Sequence, residues 1–149
     1  MPRFILLIKS DTKCSEACHE NQPPTDYLEG LARFNEQMAE AGVLLAAEGF
    51  KPTSDGYIIK YDSSKQHEVV TGPFDVSKED HTAGFWLLQT KSAEEALDWA
   101  KKVPFHSGEV IMRTVGHGHE EFKTHTKELK DREDKLRAQM EKNRQAAGV

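Results

Sequence analysis

Long apolar runs are missing from this 149-residue chain. No stretch approaches the roughly 20 apolar residues that span a bilayer. The opening "MPRFILLIKSD" has too short an apolar run for a secretory leader and no small-residue cleavage site, so a cytoplasmic protein with no membrane partner is expected. Cysteine is scarce: Cys14 and Cys18 are the two present, close together in a polar segment. A bridge between them would close too small a loop to add much stability, and free thiols are expected in a reducing compartment. Clustered basic charge is also absent. The formal net charge is −5 and the Lys and Arg residues are spread along the chain, which excludes the positive footprint that a nucleic-acid backbone demands. Glycine-rich phosphate loops, dinucleotide fingerprints and a G-x-S-x-G elbow are all lacking, so nucleotide-dependent chemistry is not expected. His117, His119 and His125 lie close together, but Gly118 separates the first two and no acidic or thiolate partner stands at a fixed spacing. Neither a metal nor another cofactor is expected.

What is present reads as one domain built from strands and two helices. "RFILLIK" (3–9) is a short apolar run with aromatic and β-branched content, a buried strand. Tyr27, Leu31, Phe34, Met38 and Ala41 recur at helical spacing, with Thr25 or Asp26 to cap the helix and Gly42 to end it. "VLLAAEGF" (43–50) follows as a strand between glycines. "YIIKY" and "HEVVT", around Asp62-Ser63-Ser64-Lys65, form a hairpin. "AGFWLLQT" (83–90) is a strand, and Ser92 with Glu95 makes a capping box for a helix that Pro104 closes. "EVIMRTV" (109–115) is the last strand. The order is the split β-α-β, ferredoxin-like arrangement with an inserted hairpin, an α+β class.

Strand 83–90 raises a difficulty for a monomer. Phe85 and Leu87 point to one side, Trp86 and Leu88 to the other, and two helices can cover just one face of such a sheet. A second copy of the same sheet is the simplest cover for the other face, predicting a homodimer. The competing reading folds the C-terminal segment back over it. In that segment, 117–149, Phe122, Leu129 and Leu136 fall seven residues apart among many charges of both signs, with Thr126 and Glu133 between them. This stripe is too thin for an independent coiled coil, and a solvated helical extension over 120–145 is expected, laced by pairs such as Glu133 with Arg137.

"RFILLIK", "RFNEQMAEAGVLLAAEGFKP", "TGPF", "GFWLLQTKSAEEALDWAKKVP" and "GEVIMRTV" together resemble the YCII-related proteins of the DGPF type, over roughly residues 3–115. The resemblance implies a dimeric α+β barrel domain over 1–116, leaving 117–149 as an unmatched extension. Relatives of that fold include isomerases and monooxygenases, while the DGPF branch has no settled activity. Two departures stand out. Thr71 replaces the aspartate of the Asp-Gly-Pro-Phe motif. Tyr27 and Leu28 stand where the YCII branch is proposed to carry a histidine at the start of the first helix, and His19 is a remote substitute.

Several polar residues remain as candidates. Strand parity places Glu48 with Leu44, Ala46 and Phe50, on a largely apolar face where burial would raise its pKa toward a usable acid or base. A structural reading, in which Glu48 pairs with Arg113 or Lys78, stands equally open. His81 could shuttle protons, since its intrinsic pKa lies near neutrality, or be a solvated loop residue. Lys78 and Glu79 belong to the segment that follows "TGPF" in the family, and with Arg113 and Trp86 they are the candidate ligand-binding residues. Trp86 would stack on a planar ligand or serve as core. Two functions follow: a non-catalytic dimeric barrel binding a small organic ligand, or a regulatory protein through the C-terminal extension, and a cofactor-independent acid–base enzyme with Glu48 as acid or base and His81 or Lys78 assisting.

Overall fold

A computed structural model describes residues 1–9, 22–64, 66–75, 81–116 and 122–148. Cys14, Cys18, His19, Lys78, Glu79, His117 and His119 lie outside the described residues. The chain divides into two compact units, Met1–Val115 and Gly116–Val149.

The first unit carries a four-stranded antiparallel sheet. Its strands are β1 (Arg3–Lys9), β2 (Leu44–Gly49), β5 (Gly84–Gln89) and β6 (Glu109–Val115), in the order β2-β5-β1-β6. Helix α1 (Thr25–Glu40) links β1 to β2, and α2 (Ala93–Ala100) links β5 to β6. This is the split β-α-β order expected from the sequence. The hairpin β3 (Tyr57–Tyr61) and β4 (His67–Thr71) is inserted between β2 and β5 as a separate two-stranded sheet.

Local chemistry explains the boundaries. Ser92 Oγ accepts the Glu95 N–H at 3.3 Å, while the Glu95 carboxylate accepts the Lys91 N–H at 2.7 Å, so orphan donors at the start of α2 are satisfied. Helix α1 begins at Thr25 without a side-chain cap and is followed by Gly42 at φ 70°, a left-handed conformation that suits glycine. Asp62 nucleates the hairpin turn: its carboxylate accepts the N–H groups of Ser64 (2.8 Å) and Gln66 (3.2 Å).

Alternation along the strands divides the sheet into two faces. Leu6 on β1, Trp86 and Leu88 on β5, and Leu44 and Ala47 on β2 pack with Phe34 and Met38 of α1 and Trp99 of α2 into the core. Trp86 meets Phe34 edge-on at 5.6 Å, and its Nε1–H donates to Asn35 Oδ1 at 2.8 Å, so the buried indole keeps a polar partner. Phe4 is buried as well, Ile8, Val110 and Met112 pack against the same core, and the residues that alternate with these along the strands form the second face.

The second unit holds α3 (Lys127–Ala147), capped by the Thr126 hydroxyl, which accepts the Leu129 N–H at 3.3 Å, and ended by Gly148 at φ 73°. Leu129, Leu136 and Met140 are exposed along it, and Glu133 Oε1 lies 3.2 Å from His125 Nε2. No helix among the described residues is long and apolar enough to cross a membrane.

Candidate functional site

The register of β2 against β5 decides where Glu48 points. Leu44 faces Leu88, but the ladder slips between Leu44 and Ala46, after which Ala46 faces Leu87, Ala47 faces Trp86 and Glu48 faces Phe85. One extra residue at Leu45 reverses the parity of everything that follows it. Glu48 therefore does not share a face with Leu44. It is exposed, on the face opposite the helix-packed core, and the expected burial of its carboxylate is corrected on both counts.

That second face has a clear composition. Ile5 and Leu7 of β1 stand between Phe85 and Leu87 of β5 on one side and Ile111 and Arg113 of β6 on the other. Phe50, just beyond β2, brings its ring to 6.2 Å from Phe85. The side chains of β1 and β5 here are half-buried, while Phe50 and Ile111 are exposed. An apolar strip thus crosses the middle of the face, with Glu48 on one edge strand and Arg113 on the other.

The two charged residues do not meet within one chain. Two strands intervene, so their backbones are separated by at least three strand spacings, about 14 Å. The sequence-based pairing of Glu48 with Arg113 inside one sheet is corrected accordingly. His81 lies two residues before Ala83, whose carbonyl accepts the Phe50 N–H at 2.8 Å. Glu48 and His81 consequently belong to the same end of the sheet, and His81 is half-buried. Trp86, 4 % exposed, lies on the other face among Phe34 and Phe105 and is a core residue. A planar ligand on the open face would not reach its ring.

Sequence reasoning missed the contact that anchors "TGPF". The Thr53 hydroxyl, in a short 3-10 turn, accepts the Phe74 N–H at 3.0 Å, and a Cβ placed on Gly72 would lie 1.7 Å from the Thr53 carbonyl oxygen. Gly72 is required because backbone passes where any side chain would begin. The motif fastens the end of the hairpin to the turn after β2. Nothing in the sequence marks Thr53 as its partner, 21 residues away from Phe74.

An open groove of about 300 Å³ lies on the helix side, lined by Leu97, Ala100, Lys101, Val103, Phe105 and Val110. None of the sequence-derived candidates lines it.

The YCII-related domain profile matches residues 3–116. The chain belongs to the YCII-related family. The match spans the sheet, both of its helices and the inserted hairpin, and stops before α3. No curated protein sequence matches the chain. One solved structure that aligns with this YCII-related protein is the 5-chloro-2-hydroxyhydroquinone dehydrochlorinase TftG from Burkholderia phenoliruptrix AC1100, in complex with 2,5-dihydroxybenzoquinone. The alignment has a TM-score of 0.37 and 13% identity, covering 79% of this chain and 97% of that one.

Proposed function

We propose that this YCII-related protein is a homodimeric binding module, in which the open sheet faces of two copies enclose a small organic molecule in a dimeric α+β barrel. The observation that carries the reading is the strip of Ile5, Leu7, Phe85, Leu87 and Ile111 on a sheet face that neither α1 nor α2 packs against. An antiparallel sheet that ends against water normally carries polar residues across that face, and this one keeps its charged residues to the edge strands and strand ends, with apolar residues across the middle. Two copies of the strip would form an apolar chamber, with Glu48, His81 and Arg113 as polar groups toward its margins. Small-molecule sites have this character, mostly apolar walls with few polar groups fixing orientation. Residues 1–116 form the binding domain, of the DGPF type, and the extension after it is dispensable for that domain.

A second reading, a cofactor-independent acid–base enzyme, draws on the placement of Glu48 and His81 at the same end of the sheet. Crystals soaked with mixtures of small metabolites test the binding reading. Ligand density between two open faces is the expected result; density confined to the helix-side groove near Lys101, or none anywhere, contradicts it.

A further inference from the structure

We infer that Glu48 of one subunit pairs with Arg113 of the partner subunit across the interface between the two open faces. The inference rests on the homodimer reading above and specifies the orientation of the two copies.

The two residues occupy opposite edge strands of one face, β2 and β6. Neither stands opposite a charge in its own sheet: Glu48 faces Phe85, and Arg113 faces Ile5. The other charged residues of the face are differently placed. Lys9 and Glu109 stand opposite one another in the β1–β6 register, and Arg3 stands between Gln89 and Val115. Glu48 and Arg113 thus remain without an ionic partner in their own ladders.

Symmetry then restricts how two such faces meet. A two-fold axis running across the strands would lay β2 over β2 and β6 over β6, opposing Glu48 to its own copy and Arg113 to its own copy. Like charges so placed repel. An axis running along the strands lays β2 over β6 of the other copy, at both ends of the interface at once, and opposes unlike charges twice. Between sheets packed at about 10 Å, with an offset of one pleat repeat of about 7 Å along the strand, the backbones of Glu48 and Arg113 lie about 12 Å apart. A glutamate and an arginine side chain extended toward each other cover that distance. The same arrangement puts the apolar strips of β1 and β5 over each other, so the charge pairs close the two margins of the apolar chamber.

Sedimentation equilibrium on the full chain tests this with Glu48→Arg, Arg113→Glu and the double exchange. Each single exchange should weaken dimerisation by about tenfold or more, because it places two like charges at each margin. The double exchange should restore the wild-type constant to within about threefold. A dimeric wild type whose double exchange is no better than the worse single variant overturns the pairing and leaves the homodimer standing. A monomeric wild type overturns the homodimer reading and the pairing with it. Should either charge reversal fail to fold by circular dichroism, Glu48→Gln and Arg113→Gln complete the same cycle, and additive effects of those two on dimerisation overturn the pairing.

Discussion

Glu48 stands opposite Phe85 in the β2–β5 ladder, on the face of the sheet that neither α1 nor α2 packs against. A carboxylate beside an aromatic ring on an apolar strip is unusual for a solvated surface and natural for the margin of an interface. The slip at Leu45 produces it: without the extra residue, Glu48 would point into the α1 core, where an unpaired carboxylate would be costly.

Gly72→Ala should be among the most damaging single substitutions in the hairpin region. Its Cβ would lie 1.7 Å from the Thr53 carbonyl oxygen, so backbone must shift beside the hydrogen bond that joins Thr53 to Phe74. A loss of about 3 kcal/mol is expected from overpacking of this kind. The urea midpoint reads it directly, and an unchanged midpoint would mean that the turn is free to move aside.

Trp86→Phe separates core from site. The substitution keeps the edge-on packing with Phe34 but removes the 2.8 Å hydrogen bond to Asn35, at a cost of about 1–2 kcal/mol. Oligomeric state and ligand binding should be unaffected, since Trp86 lies on the helix side. A change in dimerisation without a loss of stability would contradict that placement.

The arrangement of elements was largely legible in the residues, and the reasons for the failures are specific. Capping chemistry at Ser92 and Glu95, the helical stripe of Leu31, Phe34 and Met38, and the hairpin signal around Asp62 each act within a few residues, and each appears in the structure as expected. Parity in β2 was not legible, because Leu44, Leu45, Ala46 and Ala47 are all apolar and conceal the slip between them. Both faces of β5 are apolar as well, so no pattern told whether Trp86 or Phe85 faces the helices; the packing of Phe34 decides it. Thr53 carried no signal, because its role depends on a contact that the folded hairpin creates.

Asp62 predicts a pH dependence in the hairpin. Hydrogen bonds from Ser64, side chain first and then backbone, hold its carboxyl below the ordinary value. A lowered folded-state pKa contributes stability that is complete above the unfolded value of about 3.9 and is lost as pH falls through the folded one. Protection of the β3 and β4 amides, taken relative to their intrinsic exchange rates, should therefore fall below about pH 4 in the wild type. Asp62→Asn should show lower protection at neutral pH and lose that acid response. Equal profiles for the two proteins would show that the turn does not depend on the charged form.

Removal of the extension should spare the domain. The family match ends at residue 116, and the two compact units divide after Val115. A chain ending at Gly116 is expected to unfold in one cooperative thermal transition, close to that of the full protein. Loss of cooperativity would show that α3 completes the core or the interface.

The most direct test of the account is the mass of the protein in solution when the open face is spoiled. Leu87 lies at the centre of that face, half-buried, between Ala46 and Ile5, and Leu87→Arg places a charge there while leaving the α1 core untouched. Sedimentation velocity at low micromolar concentration should give twice the 16.8 kDa chain mass for the wild type and the single chain mass for Leu87→Arg, with circular dichroism unchanged. A monomeric wild type, or a Leu87→Arg variant that remains dimeric, would contradict the claim that two copies close over this face.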